Sequence, residues 1–182
     1  MPDTADRLAG RFTDVIGRDH VRTWTPAEIG AWTGLIETFE SQQRGYATDL
    51  ERTFGLSPSA AGLLGRVAGS EEGRMRLSTL ADSAGLSLSR VSRIVDGLER
   101  RGLVEKKQCS GDGRATNAHV TDAGRAAAAS AQDFLNAWLR QRFFAQLTTD
   151  EIESLATVFG RLTRNEERRP APVMPAVVPC GD

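Results

Sequence analysis

The fold is decided by the stretch Ser78–Val104, which reads STLADSAGLSLSRVSRIVDGLERRGLV. Its spacing predicts a first short helix that is capped by Ser78 and runs from Thr79 to about Ser83. Gly85 follows as the turn residue, because a residue without a Cβ can adopt a positive φ. Ser87 caps a second helix beyond this turn. The stretch therefore predicts two helices joined by a tight turn.

The second helix has two chemically different faces. Its apolar stripe consists of Leu88, Val91, Ile94, Val95 and Leu98. Ser89, Arg90 and Arg93 fall on the opposite side. Arginine reaches guanine edges in the major groove, serine allows close approach to the DNA backbone, and the free N–H groups after Ser87 favour a phosphate. The pattern indicates a DNA-reading helix, and a plain helical hairpin is the alternative interpretation.

A β-hairpin is predicted directly after this helix. Two extended runs, Leu103–Cys109 and Thr116–Val120, flank the turn sequence Ser110–Arg114. A hairpin behind a reading helix is a wing, and Arg114 beside a glycine turn can reach the neighbouring minor groove. An ordinary solvated hairpin tip is the alternative interpretation.

Long helices are predicted on both sides of this middle region. Thr25 followed by Pro26 and Glu28 forms a capping-box pattern, and the apolar spacing behind it continues until Gly55. A helix of this length fits an arm that packs against another chain. Apolar periodicity also predicts a short helix over residues 4–18, ahead of the long one. The chain is thus predicted to be mainly α with a small β-hairpin wing.

Composition and charge narrow the class of protein. Hydrophobic residues make up 40% and charged residues 26%, which excludes collagen-like, fully disordered and disulfide-scaffold classes. The net charge is −1, yet residues 74–114 hold nine basic and five acidic residues, while the remainder holds 14 basic and 19 acidic. The basic window indicates either a surface that faces an anion or an ordinary solvated surface. With neither a secretory signal nor a membrane-spanning stretch, we expect a cytoplasmic, nucleoid-associated protein.

An ordered set of short motifs resembles the MarR family of winged helix-turn-helix transcription regulators. The resemblance covers about Thr25–Arg164. Its motifs are Leu80-Ala81, the run Val91–Val104, Asp112-x-Arg114 and the run Val120–Gly124. The resemblance implies a homodimer whose terminal helices interlock and whose two winged motifs read a pseudo-palindromic operator in double-stranded DNA, most often as a repressor.

The resemblance also assigns roles to individual residues. Base or phosphate contact falls to Ser87, Ser89, Arg90 and Arg93, minor-groove contact to Arg114, and backbone contact to Arg76 and Ser78. With the resemblance, the chain divides into an extra N-terminal helix and linker (residues 1–24), a dimerisation helix (25–56), a winged helix-turn-helix domain (57–121) and C-terminal dimerisation helices (122–164). The tail (165–182) is rich in proline and has no periodicity, so it is predicted to be disordered.

Aromatic side chains on the predicted arms have two interpretations. Trp24, Trp32, Phe39 and Trp138 are candidates to line a pocket for a small aromatic effector, where the family commonly binds phenolic ligands. Aromatic residues at helical spacing also serve as core or dimer packing.

Metal, cofactor and catalytic chemistry are not expected. His20 and His119 are the only histidines, and neither has a partner at metal-ligand spacing. Cys109 and Cys180 are expected to be reduced thiols, and no constellation of a nucleophile with a base is present. We therefore expect a protein that is not an enzyme. Apart from a DNA-binding regulator, the pattern leaves a winged-helix protein-interaction module as the alternative.

Overall fold

The computed structural model describes the backbone of residues 24–109 and 112–166, and their side chains except at 109, 112–115, 165 and 166. The helix predicted over residues 4–18 and the tail from residue 167 lie outside these residues. Within them the chain is mainly helical with a small three-stranded antiparallel sheet, which confirms the predicted fold class. None of the described helices combines the length and apolar character that a membrane crossing requires.

The helices and strands follow one another in a simple order. The helices are α1 (Pro26–Phe54), α2 (Pro58–Ala68), α3 (Leu77–Ala84), α4 (Leu88–Arg100), α5 (Asp122–Arg142) and α6 (Thr149–Glu166), with a 3-10 helix at Phe144–Gln146. The strands are β1 (Arg74–Arg76), β2 (Val104–Cys109) and β3 (Asp112–Val120). The chain divides into two compact units between Trp138 and Leu139, so that α1 and the winged region share the first unit.

The long helix α1 begins where the sequence predicts. The Glu28 amide donates to Thr25 Oγ1 at 3.3 Å, and the Thr25 amide donates to Glu28 Oε2 at 2.7 Å. The Thr25 hydroxyl also donates to Glu28 Oε2 at 2.8 Å, and the hydrogen bonds from the Thr25 amide and hydroxyl to this carboxylate lower the pKa of Glu28. Gly55 ends the helix with a φ of 61°. The predicted capping box and the predicted glycine stop are both confirmed.

The core of the first unit lies where α2, α3 and α4 meet the sheet. The fully buried side chains of this core are leucines and valines of α1, α2, α3, α4 and β2. Burying each of them contributes roughly 1.5–3 kcal/mol. They are Leu50, Leu63, Leu64, Val67, Leu80, Val91, Val95, Leu98 and Val104.

The sheet has the order β1-β3-β2, with both pairings antiparallel. Val104 pairs with Val120 in the hairpin, which confirms the predicted β2–β3 pairing, although β3 begins at Asp112 instead of Thr116. The sequence indicates only a brief extended segment at residues 75–77. The structure places β1 at residues 74–76 and pairs Arg76 with Asn117 on β3.

The first turn of α5 packs directly on the start of the wing. Thr121 Oγ1 donates to the Gly102 carbonyl at 2.7 Å and accepts from the Gly124 amide at 3.0 Å. A Cβ at position 124 would lie 1.9 Å from the Leu103 carbonyl oxygen. The run Val120–Gly124 is therefore a packing motif, in which threonine joins two elements and glycine allows their close approach.

The helix α6 belongs to the second unit and begins with another capping box. The Thr148 amide donates to Glu151 Oε2 at 2.8 Å, which lowers the pKa of Glu151. Three large apolar side chains of this helix remain exposed. They are Val158, Phe159 and Leu162.

Candidate nucleic-acid interface

The turn between α3 and α4 has the geometry that the sequence predicts. Gly85 adopts a φ of 62°, and the Leu86 amide donates to the Ala81 carbonyl at 3.1 Å, which closes the end of α3. The start of α3 differs from the prediction. Arg76 occupies the N-cap position without a side-chain capping hydrogen bond, and Ser78 lies inside the first turn instead of capping it. The reason is that β1 leads directly into the helix, so that Leu77 can be buried in the core.

The helix α4 has the two faces that its sequence predicts. Ser87 Oγ accepts from the Arg90 amide at 3.3 Å, which confirms the predicted N-cap, and it lies 3.2 Å from Ser89 Oγ. Arg93 Nε donates to the Ser89 carbonyl at 3.3 Å. These polar side chains are exposed, and Val91, Val95 and Leu98 are buried behind them.

Leu88 departs from the predicted stripe. It is 53% exposed, although its spacing places it with the buried valines of α4. As the first residue of the helix it lies one turn before Val91, where the buried core side chains of α4 begin. The prediction that Leu88 is a core residue is therefore wrong, and its side chain is exposed at the same end of the helix as Ser87 and Ser89.

The other predicted DNA contacts lie at the β1–α3 junction and on the hairpin. Arg76 and Ser78 are exposed at the β1–α3 junction. The Arg114 backbone belongs to β3, and its side chain lies outside the described residues. Burial, followed by the charges of Lys107 and Arg74, lowers the pKa of His119, which disfavours the charged imidazole.

One basic residue of the hairpin contacts α4. Lys106 Nζ lies 2.5 Å from Asp96 Oδ1 and 3.5 Å from Glu99 Oε2, and its amide donates to Glu99 Oε1 at 2.9 Å. The hydrogen bond to Asp96 raises the pKa of Lys106. Lys106 therefore fixes the wing to α4, and its charge is compensated within the domain.

Replacing Lys106 by methionine should lower the melting temperature by up to about 4 °C, because partly exposed ion pairs contribute roughly 0.2–1 kcal/mol. Lys107→Met is the matched control, since the ion pair of Lys107 with Glu105 at 2.9 Å stays within its own strand. Calorimetry at low and high salt measures the melting temperatures of both variants. Equal effects of the two variants would show that the contact between wing and helix carries no stability.

Arg101 forms a second link that the sequence does not reveal. Its guanidinium donates to the Gly55 carbonyl at 2.6 Å and to the Phe54 carbonyl at 2.7 Å. A cation at the carboxyl end of a helix satisfies free carbonyls and interacts favourably with the helix dipole. The end of α4 is thereby attached to the end of α1, across 46 residues of sequence.

The four aromatic residues predicted to line a pocket do not meet within one chain. Trp138 is 7% exposed, and its indole donates to Asp49 Oδ2 at 3.0 Å, whereas Trp32 and Phe39 are 46% and 60% exposed. Trp138 packs at Gly45, about 20 Å along α1 from Trp32 at 1.5 Å per residue. Trp24 is also exposed.

A cavity of about 400 Å³ lies elsewhere in the first unit, between α1, α2 and α5. The cavity exists because small residues of α2 and α5 face each other. Its lining includes Tyr46, Ala61, Arg66, Ala131, Gln132 and Leu135. The small residues are visible in the sequence, but their facing positions depend on how the helices pack.

A helix-turn-helix followed by a paired hairpin defines a winged helix-turn-helix protein. The MarR family model matches residues 54–115 of the chain. The structure is similar to AbsC, a MarR family transcriptional regulator from Streptomyces coelicolor, with 26% identity, a TM-score of 0.69, and coverage of 81% of this chain and 99% of that one.

The structure is also similar to Sco3205 from Streptomyces coelicolor, a MarR family transcriptional regulator that was solved in complex with DNA. The identity is 29%, the TM-score is 0.70, and the match covers 82% of this chain and 92% of that one. MepR from Staphylococcus aureus, also solved with DNA, shares the fold at 16% identity, with a TM-score of 0.62 and coverage of 74% and 97%. The resemblance to the MarR family is thereby confirmed.

Proposed function

We propose that the protein is a sequence-specific DNA-binding transcriptional regulator that represses transcription as a homodimer on a pseudo-palindromic operator. The observation that carries the proposal is the exposed face of α4, where Ser89, Arg90 and Arg93 project opposite the buried stripe. Side chains of this kind on a projecting helix match the donor and acceptor pattern of the major groove. The fact that Sco3205, which is similar over most of its length, was solved in complex with DNA supports DNA binding by this chain.

The homodimer is supported by apolar surface on the long helices. The side chains of Trp32, Leu35, Ile36 and Phe39 on α1 are between 37% and 60% exposed. They lie close together along one helix, and a contiguous exposed apolar patch of this kind marks an interaction site. The exposed apolar side chains of α6 are consistent with the same role.

Release by a small molecule is supported by the cavity and by the contact of Arg101. A ligand between α1, α2 and α5 would touch Tyr46 and Arg66, the latter being a cation that suits an anionic aromatic compound. Because Arg101 attaches α4 to the end of α1, displacement of α1 would also move the reading helix. A dimer binds two half-sites about one helical turn apart on DNA. A shift of a few ångströms between its two copies of α4 would therefore weaken binding to both half-sites.

The proposal is tested by selecting bound duplexes from a random pool with the purified protein. The expected result is an enriched inverted repeat with half-sites about one helical turn apart. Sedimentation should show a complex of two chains with one duplex. A pool without enrichment would contradict the proposal and favour a winged-helix module that binds protein partners.

Arg114→Ala should weaken binding to the selected duplex and to a scrambled duplex by a similar factor. The reason is that an arginine in the minor groove reads groove potential more than base identity. The slope of log K against log salt should fall by about one for each lost phosphate contact. Titration of both duplexes at two salt concentrations measures the loss of affinity and the change in slope. A loss confined to the selected duplex would instead assign base readout to Arg114.

A further inference from the structure

Leu88 is the one exposed large apolar side chain among those described between residues 57 and 121. It is 53% exposed, while Met75, Leu86 and Ile94 in the same region pack against the core. It is absent from the core cluster and from the partly buried residues around it. Truncation of Leu88 should therefore have little effect on the fold.

The position of Leu88 places it among the predicted DNA contacts. It is the first residue of α4, directly between Ser87, which caps the helix, and Ser89 on the exposed face. The N-terminal residues of a reading helix are those that contact base edges. The leucine side chain can neither donate nor accept a hydrogen bond, so it binds neither phosphates nor the polar atoms of the bases.

The major groove offers one apolar group on its base edges, which is the C5-methyl group of thymine. We propose that Leu88 reads a thymine methyl in each half-site, and this inference rests on the proposed function of α4 as the reading helix. Contact between the isobutyl side chain and the methyl group removes apolar surface of both from water. Leu88 is then a specificity-determining residue that selects T at one position, alongside the arginines that select guanine.

The test uses the selected duplex with each thymine replaced singly by deoxyuridine, which removes only the methyl group. At one symmetric pair of positions, the wild-type protein should bind the deoxyuridine duplex about fourfold more weakly per half-site, the value for one buried methylene-sized group. Leu88→Ala should bind both duplexes equally. Leu88→Met, which keeps an apolar side chain, should retain the preference for thymine. Circular dichroism checks that both variants are folded.

The outcomes separate the inference from the proposed function. If Leu88→Ala loses the same factor as the wild type at every thymine, Leu88 does not read the methyl group and the inference is overturned. If no thymine is sensitive in the wild type although a specific duplex binds, the inference also fails while the proposed function stands. If no duplex binds specifically, the proposed function fails and the inference fails with it.

Discussion

The double variant Arg90→Glu/Arg93→Glu is expected to lose specific DNA binding by at least about 100-fold. Both guanidinium groups are exposed on α4, and each arginine that pairs with a guanine contributes roughly 1–3 kcal/mol of discrimination. The carboxylates would bring negative charge into a groove that is already negative. Because neither side chain is part of the core, the circular dichroism spectrum should not change. Fluorescence anisotropy on the selected duplex measures the loss.

A matched control is available on α6. Arg161 and Arg164 have the same i, i+3 spacing and are exposed, so Arg161→Glu/Arg164→Glu changes the net charge by the same amount without altering α4. The oligomeric state of this control variant is measured in parallel. The control should lose far less affinity, since Arg161 and Arg164 are not among the predicted DNA contacts. Similar losses for the two double variants would indicate a general charge effect and would contradict base reading by α4.

The variant Gly124→Ala is expected to destabilise the fold by at least about 2 kcal/mol, which lowers the melting temperature by roughly 4–8 °C. The added Cβ would lie 1.9 Å from the Leu103 carbonyl oxygen and 2.9 Å from Val120 Cγ2. The backbone cannot retreat without stretching the 3.1 Å hydrogen bond from the Thr121 amide to the same carbonyl. The gain in helix propensity, about 1 kcal/mol, is smaller than this cost.

Gly65→Ala is the control for this substitution. Gly65 lies within α2, and a Cβ there would meet no atom within 4 Å. This variant should gain about 0.5–1 kcal/mol from helix propensity, so its melting temperature should rise. Calorimetry at equal protein concentration compares the melting temperatures of Gly124→Ala and Gly65→Ala. A Gly124→Ala protein as stable as the wild type would show that α5 does not pack on Leu103 as described.

Local signals in the sequence predict the elements of this fold well. The caps at Thr25 and Ser87 and the turn at Gly85 depend on residues within one helical turn, so their chemistry is readable without the tertiary structure. The error at Ser78 has the opposite origin. A serine before a helix satisfies the capping rule, but the need to bury Leu77 moves the start of α3 to an earlier residue.

Features that depend on tertiary packing could not be predicted from local signals in the sequence. Leu88 has the period of the buried stripe, and only the position of the core shows that it is exposed. Arg101 follows Arg100 in the sequence, and nothing local indicates which of them contacts the end of α1. Trp24, Trp32 and Phe39 were predicted to share a pocket with Trp138, yet Trp138 packs at Gly45, about 20 Å along α1 from Trp32. That pocket remains a prediction only for an assembly of two chains.

The claim that α4 reads bases is tested most directly by parallel selections from one random pool, using the wild-type protein and Arg93→Ala. We expect the variant still to enrich an inverted repeat with unchanged half-site spacing. We also expect it to lose its base preference at one symmetric pair of positions, with an affinity cost on the order of 1–3 kcal/mol on the wild-type site. Identical base preferences for the two proteins, or equal losses on specific and random duplexes, would contradict base reading by Arg93 on α4.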